Sequence, residues 1–260
     1  MKYGFIGCGN MGGAIATALA KQTKNVILSD PHAANALAEQ LGCAFGSNED
    51  VVQNCSCIFL AVKPQILSMV LEPLRPLLAE KKPLIVTMAA GIEIAKVQSY
   101  ANCDLPIIRI MPNTPVKVGK GIISYCINSF VSDSDLQQFL WDMQAAGKFC
   151  AIPEKLMDAA TAIAGCGPAY MYIFLDALAD GGVACGLSRE QALQFAAETM
   201  SGAAEMIITS GKHPGELKDA VCSPGGSTIE GVKVLEESRF RGAVMDCVIA
   251  AYNKNIELGK

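Results

Sequence analysis

Gly7-Cys8-Gly9-Asn10-Met11-Gly12 sets glycine at the first, third and sixth places of a six-residue run, directly after the strand-like segment Lys2–Ile6. In a strand-to-helix turn that spacing has a mechanical meaning. Gly7 permits the tight turn, Gly9 lets the backbone come close to a pyrophosphate, and Gly12 allows the helix to pack tightly on the strand. The free N–H groups and positive dipole end of the next helix then face the phosphates, so Gly7, Cys8, Gly9, Asn10, Met11 and Gly12 are candidate dinucleotide contacts. Asp30, 23 residues after Gly7 at the end of the next β run, is placed to bond the ribose hydroxyls of NAD and to repel a 2′-phosphate. His32 offers such a phosphate a partner, and Asp30 ahead of Pro31 also reads as a helix cap, so the choice between NADH and NADPH stays open.

Ala61-Val62-Lys63-Pro64 and Ala89-Ala90-Gly91 each close a further β run, and open α/β sheets bind ligands at the carboxyl ends of their strands. Small residues there leave room for a nicotinamide. Lys63 is either a phosphate or ribose partner or a solvated surface charge. In Arg109-Ile110-Met111-Pro112-Asn113-Thr114-Pro115 two prolines stiffen a loop suited to hold the Asn113 amide against a ligand, the plainer reading being a turn residue. Cys222-Ser223-Pro224-Gly225-Gly226-Ser227-Thr228 precedes a helix, so glycines expose N–H groups while hydroxyls sit at the helix entrance. That is a receptor for a carboxylate, or else a helix cap without a ligand. The chain has no Gly-x-Ser-x-Gly elbow, no metal-ligand cluster and only His32 and His213 as histidines. Hydrolysis and metal catalysis lose ground to hydride transfer, which on an imine needs little beyond a positioned cofactor and a hydrogen bond to nitrogen.

The elements that must position these residues divide the chain in two. Up to about residue 152, short β-branched runs alternate with helical patterns, the signature of βαβ units and a parallel sheet. Strands are predicted near Lys2–Ile6, Asn25–Ser29, Ser56–Val62, Leu84–Met88, Ile107–Met111, Ile122–Ile127 and Phe149–Ile152. Helices are predicted near Asn10–Lys21, Pro31–Leu41 with Pro31 in its first turn, Gln65–Leu78, Glu93–Tyr100 and Asp133–Ala146. After Pro153 the β signal stops, and Glu154–Ala164, Pro168–Cys185, Ser188–Ser210 and Thr228–Leu258 have a helical period, with a capping box from Ser188 to Gln191. The fold class is therefore α/β: an N-terminal Rossmann-type dinucleotide-binding domain over residues 1–152 and an all-helical domain over residues 153–260. The small apolar positions of the second half suit core or a subunit interface, which points to a homodimer.

Composition sets the boundaries. With 51% hydrophobic and 18% charged residues the chain is ordinary globular material, and a net charge of −4 argues against nucleic acid, which needs clustered Lys and Arg. Eleven irregularly spaced cysteines, with a glycine loop where a signal peptide would stand, read as reduced and mostly buried, which points to the cytoplasm. The apolar stretch Tyr170–Leu187 carries Asp176 and Asp180, so a buried helix is expected there and no membrane partner.

Together the motifs resemble the pyrroline-5-carboxylate reductase family over essentially the whole chain. The resemblance rests on Ile6 to Met11, Ala61 to Gln65, Met111 to Pro115, Gly167-Pro168-Ala169-Tyr170, Asp176 to Gly182, and His213-Pro214-Gly215 through Thr228. It implies reduction of 1-pyrroline-5-carboxylate to L-proline with NADPH or NADH. Ser223, Gly226, Ser227 and Thr228 would hold the substrate carboxylate and ring nitrogen, with Thr228 nearest the nitrogen. Asn48, at the start of a short helix, would contact the adenine-side ribose, and Ala61 to Pro64 and Ala89 to Gly91 would line the cofactor. It also implies a substrate site at a dimer interface and assembly toward decamers. Ala164 and Cys166 stand where the family has serines, Ala220 where it has an Asn, and Asp30 where NADPH-preferring members carry neutral or basic residues. A β-hydroxyacid dehydrogenase-like oxidoreductase is the runner-up, but its catalytic Lys after a Gly-rich turn has no counterpart between Gly165 and Lys212. A dinucleotide-binding protein without turnover is the third reading.

Overall fold

Runs of Ile, Val, Leu and Phe too short for helices become the central strands of an eight-stranded sheet. In the computed structural model, which describes residues 1–258, these are β1 (Tyr3–Ile6), β2 (Val26–Ser29), β3 (Ala44–Phe45), β4 (Cys57–Leu60), β5 (Leu84–Thr87), β6 (Ile107–Met111), β7 (Gly121–Ile127) and β8 (Gly147–Ala151). Their order is β3-β2-β1-β4-β5-β6-β7-β8. Chain direction along the sheet reverses between β1 and β4, which opens a crevice at their carboxyl ends. Every pairing is parallel except β6 with β7, where Arg109 faces Cys126 in an antiparallel register. The parallel pattern expected from sequence is broken there: a helical turn at Thr114–Val118, too short for a crossover, returns the chain directly beside β6.

Both faces of the central strands are buried, so they read as unbroken apolar runs. Tyr3, Phe5, Cys57 and Phe59 feed one core, which packs on α1 (Asn10–Leu19), α2 (Ala34–Leu41) and Phe139 of the later helix Asp133–Asp142. Ile6, Ile58, Leu60 and Ile85 feed the other, which packs on α3 (Asn48–Asn54), α4 (Leu67–Leu71), α5 (Arg75–Lys81), α6 (Ile94–Ala101) and Met157. Helix α7 is Asp133–Asp142 and α8 is Met157–Ala160, followed by a π turn at Thr161–Gly165. The single helix expected over Gln65–Leu78 is split into α4 and α5, since Pro73 lacks the N–H a continuous ladder requires. Pro31 lies in a turn ahead of α2 and not in its first turn, because that helix begins at Ala34.

The chain forms two contact units, Met1–Cys166 with the segment from Ala251 onward, and Gly167–Ala250. The second contains α9 (Gly167–Ala184), α10 (Arg189–Ser210), α11 (Pro214–Ala220), α12 (Ser227–Glu237) and the first part of α13 (Phe240–Leu258). The expected helix Thr228–Leu258 is divided by Arg239, which takes a left-handed φ of 56°. The capping box of Ser188 and Gln191 forms as predicted. The core of this unit is small: Ala179, Ala192 and Ala196, with Leu175 and Val183 against them. Large apolar side chains stay outside it, Ile173 being 73% and Ile208 72% exposed.

The helical run Glu154–Ala184 is, among the described residues, the one helix long and apolar enough to cross a bilayer by length and composition. Only 11% of its most apolar window is buried, so the expected buried helix is corrected: α9 is an exposed apolar surface.

At the bottom of the first core the Tyr3 hydroxyl donates to Asp142 Oδ2 at 2.5 Å. Burial, then the carboxylate it bonds, drives the phenol far above its ordinary range, so it remains a protonated donor. Tyr3→Phe should lower unfolding stability by about 1 to 3 kcal/mol, read from urea denaturation followed by the fluorescence of Trp141 next to the lost acceptor. An unchanged midpoint would mean that Tyr3 acts through its ring alone.

Candidate active site

At the carboxyl end of β1 the chain turns through Gly7 at φ 99°, where a Cβ would come within 2.6 Å of the Ala61 carbonyl oxygen. Gly12, on the first turn of α1, is packed as closely: a Cβ there would stand 2.4 Å from the Gly7 carbonyl oxygen and 2.8 Å from the Ala61 Cβ. Gly9 between them is open, with nothing within 4 Å of a notional Cβ. It is also the N-cap of α1 and supplies no side-chain cap, so the first N–H groups of the helix keep their donors for an outside acceptor. Two crowded glycines and one open glycine make the cradle that a pyrophosphate fits. Cys8 is buried, and burial followed by the nearby Asp30 charge pushes its thiol up to about 12.

Asp30 does more than the sequence reading assigned to it. Its Oδ2 accepts from Cys8 N at 2.8 Å, and its Oδ1 from His32 N at 2.9 Å and Ala33 N at 3.0 Å. Partial burial would raise its pKa, but these three backbone donors outweigh that and hold it below the ordinary carboxylate value. The carboxylate thus caps the turn before α2 and fastens the glycine loop to the end of β2. Beside it, Ser29 Oγ donates to Asn48 Oδ1 at 2.7 Å, leaving the Asn48 NH₂ as donor. Asn48 opens α3 behind a Ser47–Asp50 capping box.

Ala61, Val62, Lys63 and Pro64 follow β4, with Ala61 N bonded to Ile6 O, and Lys63 is exposed. Ala89 is buried, Ala90 exposed, and Gly91 turns at φ 73°. Pro64 and Gly91 share the wall of a cavity of about 550 Å³ with Gln65, Lys96, Arg109 and Asp158. Asn113 is 6% exposed and both ends of its amide are used: Nδ2 donates to Ala164 O and Oδ1 accepts from Ile122 N, each at 3.0 Å. It ties the loop after β6 to the π turn and to β7. Arg109 was not singled out from sequence, although a lone Arg among isoleucines on a central strand signals a buried charge in need of a partner. That partner is Glu154, 3.0 Å away.

In the second unit, Ser223 to Gly226 form a turn closed by Gly226 N to Ser223 O at 3.0 Å, with Gly225 at φ 68°. Gly226 is the N-cap of α12 and leaves it without a side-chain cap. Among the described residues the hydroxyls of Ser223, Ser227 and Thr228 have no protein partner, and all three residues are exposed. Three hydroxyls and uncapped N–H groups at one helix start are donors of the kind that small anions accept from. Thr228 also opens on an apolar groove of about 900 Å³ lined by Phe174, Val232 and Phe240. The structure brings Ser223, Gly226, Ser227 and Thr228 together as the sequence reading anticipated.

Comparison with known proteins matches residues 154–258 to the family model described as pyrroline-5-carboxylate reductase dimerisation, and residues 2–91 to that described as NADP oxidoreductase coenzyme F420-dependent. Pyrroline-5-carboxylate reductase of Pisum sativum is 40% identical, covering 98% of this chain and 95% of its own. The enzyme of that name from Escherichia coli is 40% identical over 100% of this chain and 98% of its own. A crystal structure of Plasmodium falciparum pyrroline carboxylate reductase with NADP bound superposes with a TM-score of 0.90 at 37% identity, covering 100% of this chain and 98% of that one.

The glycine geometry separates two effects that substitution usually mixes. Gly12→Ala should destabilise the fold by about 1 to 3 kcal/mol, because α1 must move off Gly7 and Ala61. Gly9→Ala should cost under about 1 kcal/mol of stability yet weaken NADPH binding, since its methyl group enters the open face. Thermal unfolding and calorimetric titration of both variants check this. Equal destabilisation by the two would contradict the assignment of open and crowded sides.

Proposed function

This chain belongs to the pyrroline-5-carboxylate reductase family, and from that premise we propose that it reduces 1-pyrroline-5-carboxylate to L-proline with NAD(P)H, the last step of proline biosynthesis. The observation that carries the reading to this chain's own residues is the uncapped start of α12 with its three unpartnered hydroxyls. A cyclic imine bearing one carboxylate needs such a receptor and little else. Gly7 to Gly12 hold the pyrophosphate, Asp30 and Asn48 the adenine-side ribose, and Ala61 to Pro64 with Ala89 to Gly91 the nicotinamide half. Bound reduced nicotinamide supplies the hydride.

The remaining work belongs to the protein. Hydride addition to the imine carbon leaves a nitrogen that needs a proton or already carries one, and the Thr228 hydroxyl stabilises that change by hydrogen bonding. Ser223, Ser227 and the N–H groups after Gly225 hold the carboxylate. Asn113, its amide already engaged by main chain, serves the substrate by fixing the loop around it. Residues 1–152 act as the NAD(P)-binding domain and 153–260 as the substrate-binding and dimerisation domain. The exposed apolar faces of α9 and α10 favour an obligate homodimer, with decamers as the larger assembly. The reading places the enzyme in the cytoplasm, with no nucleic-acid or membrane partner.

Oxidation of NAD(P)H dependent on pyrroline-5-carboxylate is the direct test, and cofactor binding without substrate-dependent turnover would overturn the proposal. Thr228→Ala should lower kcat by about 10- to 1000-fold with little change in cofactor affinity. Ser223→Ala should mainly raise KM, because the carboxylate is held alike in ground and transition states. Near-normal turnover in Thr228→Ala would remove the role given to that hydroxyl. Asp30→Ser should shift the kcat/KM ratio toward NADPH by removing repulsion of the 2′-phosphate, and should weaken both cofactors because Cys8 N loses its acceptor. A ratio identical to wild type would make Asp30 a turn cap only.

A further inference from the structure

Among the described residues Arg109 is the only charged side chain buried in the fold, 2% exposed on β6 and in register with Thr87 of β5. Its Nη1 lies 3.0 Å from Glu154 Oε1, and its buried Nε has no partner. The guanidinium therefore depends on one carboxylate, and a buried charge deprived of its counter-charge is strongly unfavourable. The same Glu154 Oε1 accepts from the backbone N–H of Ile94 at 2.8 Å. Ile94 is the first residue of α6, and its N-cap Glu93 provides no side-chain cap of its own, so Glu154 supplies the cap from 60 positions away.

The consequence falls on the segment between these points. Thr87 ends β5 beside Arg109, Ile94 begins α6 against Glu154, and Ala89-Ala90-Gly91 lies between them. Gly91 turns at φ 73° and lines a cavity shared with Arg109. Glu154 thus fixes the Ile94 end of this loop of small residues, while its Thr87 end is held by the pairing of β5 with the strand that carries Arg109 and Ala89 is buried in the core. Ala164 at the far end of the same helical segment is fastened to Asn113, so the turns that carry Glu154 are themselves held against the sheet.

We propose that Arg109 and Glu154 are positioning residues for hydride transfer, holding Ala89–Gly91 at the nicotinamide end of the cofactor site. This rests on the reading that the loop lines the cofactor. The effect should be confined to the nicotinamide half, which NADH and NADPH share. Glu154→Ala should weaken both reduced cofactors by the same factor and lower kcat/KM by about 10- to 100-fold, on the scale of a misplaced reacting group. ADP-ribose, which has no nicotinamide, should bind as to wild type. Glu154→Gln keeps an acceptor for Ile94 N–H and should lie between the two. Arg109→Met, which removes the buried charge and leaves Glu154 with its part-exposed surface, provides the measurement if Glu154→Ala fails to fold. Calorimetric titration of the full chain with NADPH, NADH and ADP-ribose reads the affinities, and steady-state kinetics with pyrroline-5-carboxylate reads kcat/KM. Equal loss for ADP-ribose and NADPH would mark a general loosening and overturn the proposal, as would unchanged NADPH binding in both variants. Failure of wild type to bind any reduced cofactor would instead remove the functional reading, and this inference with it.

Discussion

Helix α1 can begin where it does only because Gly12 has no side chain: the Gly7 carbonyl and the Ala61 methyl occupy the space a Cβ would take. That contact sets the distance from the helix start to the ends of β1 and β4, and the rest of the crevice is arranged around it. Asp30 ties the second residue of the glycine loop to the end of β2. Ser29, its neighbour, fastens Asn48 at the start of α3. A loop that must leave donors unsatisfied for a ligand gains its rigidity from side chains beneath and beside it, so it needs no folding to accept phosphate.

The glycine loop and the central strands were legible because each has a local signature, a fixed spacing or a β-branched run; the change of period at Pro153 marks where the β signal stops, whereas the contact units divide after Cys166. The hydroxyl-rich start of α12 was legible for the same reason. Other features had no such signal. Nothing near Arg239 announces the left-handed residue that ends α12, whereas Pro73 was a visible break inside the helix read over Gln65–Leu78. The antiparallel return of β7 follows from a short helical turn whose residues also suit a loop. Asn113 reads as a ligand-facing amide until both its ends are found on main chain, and the bond of Arg109 to Glu154 spans 45 positions. Local pattern identifies what a segment can be, while long-range polar partners decide what each side chain has left to offer.

The two units differ in how they are held. In the first, stacked Phe5 and Phe59, with ring centroids 4.3 Å apart, sit inside a sheet covered on both faces. In the second, three alanines and two flanking residues are the interior. Burial of so little apolar area offsets less of the entropy of ordering these helices than the sheet core does in the first unit. Thr228 lies on the wall of an apolar groove on this unit.

The cysteine in the phosphate turn has a chemical consequence of its own. A thiol at a helix start is usually acidified by the helix dipole, and such thiolates are the ones that peroxide and electrophiles attack. Here burial and the Asp30 carboxylate act in the opposite direction, and Cys8 remains a protonated thiol pointed at the Ser29 carbonyl, 3.9 Å away. The loop therefore carries its sulfur as a buried thiol rather than a thiolate, and its second residue serves as a small apolar filler.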